Sequence, residues 1–274
     1  MAHTSPDQHP FDAALQLERV GEGVLRGTTS DLYWNMVGLL GGLVNAILVR
    51  AVLDDPRRAG TPIALTANFC AAMAKGDYEV RTRLQRAGKI TQHWSLELHQ
   101  LGKVCATASL VCAQRGSTWS HRPVQPPAAP APEALERMPA IASSEWLKRF
   151  DFRFASGAPE PRAPGGEPST ARSVVWVRHD PARALDSLML AMLSDVFIVR
   201  IYHVRGYGVP MGTVSLTSYF HVGDAEFGAL GSDYVLGVVD SNVFHDSFHD
   251  QSCQLWSRDG RLLVSGTQIA WYKE

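Results

Sequence analysis

The sequence predicts an α+β protein in which one motif is written twice. Three observations carry this. Each half of the chain holds one strongly apolar helical segment followed by a series of strand signals, in the same order both times. The strand signals follow one another with turns between them, which is the pattern of an antiparallel sheet. Proline concentrates where the halves meet: ten of the 16 prolines fall between Pro123 and Pro168.

In the first half the helical segment is Gly41–Leu53, opening on the breaker pair Gly41-Gly42. Strand signals follow at Ile63–Phe69, Tyr78–Leu84 and His93–His99, then a turn at Leu101-Gly102-Lys103 and a last strand at Val104–Cys112. The stretch Gln125–Pro132 (QPPAAPAP) can hold neither helix nor ladder and reads as a linker. A short strand is expected around Lys148–Phe154, followed by a loop at Ala155–Pro168. The second helix is expected over Asp180–Val196, with Asp180 as N-cap and Pro181 in the first position. Leu185, Leu188, Met189, Met192, Leu193 and Val196 recur at spacings of three and four, a face wide enough for a helix enclosed by protein. The later strands are Val214–Phe220, Tyr234–Val239, Ser247–Trp256 and Leu262–Trp271, with a turn at Arg258-Asp259-Gly260. Thr66 and Phe69 align with Thr217 and Phe220. The expected division is 1–122, a proline-rich linker 123–145 and 146–274, with the halves sharing an interface as a pseudo-dimer.

Composition narrows the function classes. Length alone allows about two domains. The net charge of −1 supplies no basic stripe, so no nucleic-acid partner is expected. The longest apolar run, Met36–Val49, is broken by Asn45 and stopped by Arg50, which argues against a membrane span. Met1–Pro10 lacks an apolar signal core. The four cysteines, Cys70, Cys105, Cys112 and Cys253, have no C-x-x-C spacing, so reduced thiols and a cytoplasmic location are expected.

One helix wrapped by an antiparallel sheet is the hot-dog layout, and two in one chain make a double hot dog. Three motifs sharpen this. Met192–Asp195 (MLSD) ends a long apolar helix, Gly212–His221 reads GTVSLTSYFH, and Asp259–Gln268 reads DGRLLVSGTQ. Together they resemble the C-terminal half of acyl-CoA thioesterase II, the TesB-like branch of the thioesterase superfamily. In layout the resemblance covers both halves; in motif it covers the second. It implies hydrolysis of acyl-CoA to free fatty acid and CoA by a water held between an Asp, a Thr and a Gln. Position by position these are Asp195, Thr213 and Gln268. Ser215 and Leu216 stand where the family has Asp and His. The resemblance also implies no metal or redox cofactor, acyl-CoA as the partner molecule, and a homodimer or higher homo-oligomer. Gly41, Gly42, Tyr219 and His245 are the candidate substrate-binding residues.

These residue types suit the chemistry. A carboxylate can take a proton from the attacking water, while a hydroxyl and an amide can fix its lone pairs. The free N–H groups of a helix start, here Gly41-Gly42, can face an oxyanion. Against this, Asp195 could be a polar helix end, although the macrodipole disfavours a carboxylate there. Thr213 could be a strand former, and Gln268 a structural amide in an apolar strand. The repeat supplies a control. It sets Pro62 opposite Thr213 and Leu110 opposite Gln268, with Asp54 or Asp55 the counterpart of Asp195. Neither Pro nor Leu can orient water, so one equipped site is expected.

Rival motifs are weaker. His245 and His249, with Asp246 and Asp250, have the spacing of a helical metal pair but lack a clear third ligand. No G-x-S-x-G or Walker motif occurs. Two other functions stay open: a non-catalytic acyl-CoA or acyl-chain binding protein, and an acyl-thioester hydratase or dehydratase, for which an Asp and His pair has no convincing counterpart.

Overall fold

A computed structural model describes residues 8–139, 144–160 and 170–273. Parts of the expected linker and of the loop Ala155–Pro168, and most of the N-terminal tail Met1–Pro10, lie outside the described residues. In order, the first half holds α1 (Pro10–Ala14), β1 (Glu18–Gly21), β2 (Val24–Thr28), α2 (Gly41–Leu53), β3 (Thr61–Phe69), β4 (Asp77–Ala87), β5 (Thr91–Gln100) and β6 (Lys103–Ala113). The second holds β7 (Phe150–Ser156), β8 (Ser173–His179), α3 (Ser187–Leu193), α4 (Arg200–Arg205), β9 (Met211–Phe220), α5 (Asp224–Leu230), β10 (Val235–Asp240), β11 (Phe244–His245), β12 (Phe248–Trp256) and β13 (Leu262–Tyr272).

The strands form one antiparallel sheet in the order β1-β2-β4-β5-β6-β3-β9-β13-β12-β10-β8-β7, with β11 on β12. The halves join at β3 and β9. Thr66 pairs with Thr217 there, and their hydroxyls are 3.0 Å apart. These two residues align in the sequence repeat, so the local twofold passes between them. A second contact repeats the relation. Tyr33 and His179, each eight residues ahead of its half's helix, meet at 2.8 Å between hydroxyl and Nε2.

The sheet wraps α2 and α3, which pack against each other. Almost all of α2 is buried and every residue of α3 is. Such helices are held by enclosure, since neither has an outer face to expose. This is the α+β double hot dog expected from the sequence.

The second helix differs from expectation. It begins at Ser187, not after Asp180. The carboxylate of Asp186 accepts from the Met189 N–H at 2.7 Å and caps the first turn. Ahead of it, Leu185 N–H donates to Gly231 at 2.7 Å and His179 Nδ1 lies 2.9 Å from the Pro181 carbonyl, which hold residues 179–185 out of helix. The β1–β2 hairpin, β8, α1, α4 and α5 add to the elements expected from the sequence. Among the described residues no helix is long and apolar enough to cross a membrane.

His179 gives a pH prediction. It is buried between Phe11, Tyr33 and Phe150. Nδ1–H donates to Pro181 and Nε2 accepts from Tyr33, a neutral tautomer. Burial pulls its pKa down to about 4. The depressed value means its stabilisation is full above the unfolded value and is lost as pH falls through about 4, by about 3 kcal/mol. Urea unfolding of wild type and His179→Gln should show the stability gap narrowing between pH 7 and pH 4; a constant gap would refute it.

Candidate active site

The site is built where the end of α3 meets the start of α2. The last turn of α3 carries Ser194, whose hydroxyl returns to the Ala191 carbonyl at 2.8 Å, and the Asp195 N–H reaches Met192 at 3.2 Å. This places Asp195 just past the helix, facing Gly41. A Cβ added to Gly41 would stand 2.3 Å from Asp195 Oδ2. The unfavourable end of α3 is therefore offset by the start of α2, where Leu40 supplies no side-chain cap and the first N–H groups are left for the site.

Thr213 and Gln268 come from neighbouring strands through a bulge. Leu216 of β9 pairs with Gln268 of β13, and Ser215 with Ile269, but Ala270 then pairs with Thr213. Val214 is the extra residue. Leu216 is buried, so strict alternation would send Thr213 to the outer face; one extra residue turns it inward. Thr213 Oγ1 consequently donates to Gln268 Oε1 at 2.9 Å. The Gln268 amide lies against the Asp195 carboxylate, near enough to act on its pKa. Asp195 keeps some access to a cavity but is otherwise enclosed, and this burial raises its pKa to about 7, with the Gln268 hydrogen bond opposing the rise.

The cavity has a volume of about 740 Å³. Asp195, Gly41 and Thr213 line it together with apolar walls that include Phe69, Trp146 and Phe197. No Lys, Arg or His lines it among the described residues. Much of the wall comes from segments outside the expected helices and strands: residues 35–40, residues 70–73, and residues 197–202 running into α4. Their only signal was apolar composition at loop positions.

The other candidates are placed differently. Gly42 turns to α3, where an added Cβ would stand 2.4 Å from the Met192 carbonyl. Tyr219 is exposed on the outer face of β9, opposite Ala64, and does not line the cavity. His245 is exposed beside Asp246 at the β11–β12 turn and is also away from the cavity. His249 is buried, so the two histidines of the rival metal motif are split between a surface and the interior. No cluster of three or more metal-ligating residues occurs among the described residues.

The pseudo-equivalent place in the first half has the same bulge. Leu65 pairs with Leu110, and the register of β3 against β6 shifts between Pro62 and Ala64. The backbone device is kept, but Pro62 and Leu110 stand where Thr213 and Gln268 stand. Asp54 is bonded to Arg50 at 2.6 Å, and Asp55 is closed by Arg57 at 2.9 and 2.8 Å, which holds its carboxyl below the usual range.

Two family descriptions match the chain. The acyl-CoA thioesterase N-terminal domain matches residues 30–113, and the acyl-CoA thioesterase C-terminal domain matches residues 123–272. The chain belongs to the acyl-CoA thioesterase family. Among solved structures, a conserved hot-dog protein of unknown function from Alicyclobacillus acidocaldarius is 33% identical, with 97% of this chain and 99% of that one covered and a TM-score of 0.91. A candidate thioesterase II from Thermobifida fusca is 20% identical over 98% and 99% of the two chains, with a TM-score of 0.84. The acyl-CoA thioesterase II TesB2 of Mycobacterium marinum is 18% identical over 96% and 98%, with a TM-score of 0.73. The last two likenesses show the fold. No curated protein matches. In this family setting, Asp195 and Thr213 are polar groups in a largely apolar cavity wall, with Gln268 behind them bonded to Thr213.

Proposed function

We propose that this protein hydrolyses acyl-CoA thioesters with Asp195 as general base. The observation that carries the reading is that Asp195 and Thr213 line one cavity while Gln268, bonded to Thr213, sets its amide against the Asp195 carboxylate. The acyl chain occupies the apolar walls, with its carbonyl at the Asp195 end. Thr213 and the Gln268 amide hold a water against Asp195, which takes its proton as the oxygen attacks the carbonyl carbon. The N–H groups at the start of α2 stabilise the oxyanion as it forms. The carbon–sulfur bond then breaks, the protonated Asp195 returns its proton to the departing CoA sulfur, and acid and thiol leave. No covalent intermediate forms. A base with a pKa near 7 is matched to this work at neutral pH.

Purified protein incubated with a panel of acyl-CoAs should release free thiol. Thr213→Ala and Gln268→Ala should each lower kcat on the order of 10²-fold, because each removes one constraint on the water. Full activity in either variant would refute the assignment. Binding of acyl-CoA without hydrolysis of any member would favour the non-catalytic reading instead.

A further inference from the structure

Beside Gln268 lies a second buried amide that the mechanism does not use. Gln251 of β12 is the direct partner of Gln268 in the ladder, and both are buried, so their side chains share the inner face. Opposed residues on one face have Cβ atoms about 4.5–5.5 Å apart, within mutual reach of two carboxamides. Gln251 is 2% exposed. Its Oε1 accepts the Arg200 N–H at 3.3 Å, at the start of α4, whose approach lines the cavity. Its Nε2 has no partner among the described residues. A buried donor without a partner is costly, so such a group calls for an explanation.

Gln268 has a matching vulnerability. A carboxamide can turn over with no change of shape, exchanging its oxygen and its NH2. In the observed orientation Oε1 takes the Thr213 proton and the NH2 faces Asp195. Turned over, it would set an oxygen against the carboxylate and an NH2 against the Thr213 hydroxyl. We propose that Gln251 is a positioning residue that fixes the amide orientation of Gln268. The Arg200 backbone N–H holds the Gln251 oxygen, and in this proposal the unbonded NH2 turns to Gln268. A second donor beside Gln268 Oε1 then disfavours the turned-over amide. Thr213 alone cannot do this, because its hydroxyl can accept as readily as donate.

The consequence is electrostatic. With Gln268 locked, its NH2 opposes the rise in the Asp195 pKa. Unlocked, that opposition weakens and the acid limb of activity moves to higher pH. The charged and titratable groups around this centre are few. Cys253 on β12 faces Asp195, with its thiol pushed up to about 12 by burial. His249, two residues before Gln251 on the same face, has its pKa lowered by burial and lies within the field of Arg200. Arg200 is itself buried at the start of α4, and its pKa is lowered to about 9 by burial. Tyr202, Tyr207, Cys70 and Cys105 line the cavity. None of β9, β13 and α2 brings a charged side chain to Asp195.

This inference rests on the hydrolytic reading of Asp195. The test uses Gln251→Met, which keeps length without hydrogen bonding, and Gln251→Glu, which keeps the acceptor for Arg200 and removes the NH2. Steady-state hydrolysis of one acyl-CoA is measured from pH 5 to pH 9, with Asp195→Asn in the same assay. Both Gln251 variants should lose about tenfold in kcat, the factor that 1.4 kcal/mol is worth. KM should stay within about twofold, and the acid limb should move up from its wild-type midpoint. If Gln251→Met fails to fold, by circular dichroism, Gln251→Glu carries the test. Wild-type kcat in either folded variant overturns the proposal. So does a lower kcat with an unmoved limb, which marks a structural role. Asp195→Asn inactive beside unaffected Gln251 variants removes this proposal alone; a fully active Asp195→Asn removes the hydrolytic reading and this one with it.

Discussion

Replacing Asp195 by Asn is expected to lower acyl-CoA hydrolysis about 10²–10⁴-fold, the usual worth of a positioned general base, while making the protein more stable at pH 8. The two effects have one cause. The folded pKa is about 7, against 3.8 for a free carboxyl. The folded state therefore binds this proton more tightly than the unfolded chain does. Stability linked to the residue is full below about pH 4 and is lost as pH rises through about 7, by about 4 kcal/mol. Asn keeps the shape and can still accept from Gln268, but it carries no charge to bury. Wild type and variant should therefore differ little in urea midpoint at pH 4.5, and the variant should be more stable at pH 8. Equal stability at both pH values would show that the carboxylate is not held at the cost the geometry implies. Retained activity would show that the water has another base. The pairing of gain and loss is what separates a catalytic acid held in a strained environment from a helix end that merely happens to be buried.

Much of the fold was legible because period and order survive in the sequence. The helix Gly41–Leu53 and the strands β3, β4, β5, β6, β9, β10, β12 and β13 follow apolar patterns that only burial could explain. The alignment of Thr66 with Thr217 was legible too, and it marks the seam itself. Most of the elements without a clear signal are short, although β8 is longer than β10. The six residues of α4 follow a stretch, residues 196–199, too apolar to show a helical face. The start of α3 is ambiguous in the sequence because Asp180 and Pro181 form as good a local cap signal as Asp186. Only the long-range bonds of Leu185 and His179 decide between them. For the site, residue types and motif order pointed to Asp195, Thr213 and Gln268. The bulge at Val214 that turns Thr213 inward was not legible, because Thr-Val-Ser reads as plain strand and a one-residue slip leaves no mark on composition. The cavity wall was not legible either, since its residues meet only after the halves dock.

Gly41 and Gly42 are adjacent, and alanine at each should fail in a different way. An added Cβ at Gly41 meets Asp195 Oδ2 at 2.3 Å and the Phe69 ring at 3.3 Å. Both obstacles are side-chain ends, and the carboxylate can rotate away. The protein should fold with near wild-type stability, since Ala also favours helix over Gly by up to about 1 kcal/mol. Its activity should nevertheless fall on the order of 10²-fold, because a displacement near 1 Å breaks the alignment of base and water. At Gly42 the added Cβ meets the Met192 carbonyl at 2.4 Å and the Met192 Sδ at 3.1 Å. A carbonyl in α3 cannot rotate away without shifting the helix, so α2 and α3 must separate. Overpacking of this kind costs about 1–3 kcal/mol, and Gly42→Ala should lower the urea midpoint. Unfolding curves and kcat measured on both variants therefore form a crossed test. Activity loss should dominate at position 41 and stability loss at position 42. The reverse pattern would mean that α2 does not present Gly41 to the carboxylate, and that the start of this helix serves the packing of the two halves instead of the site.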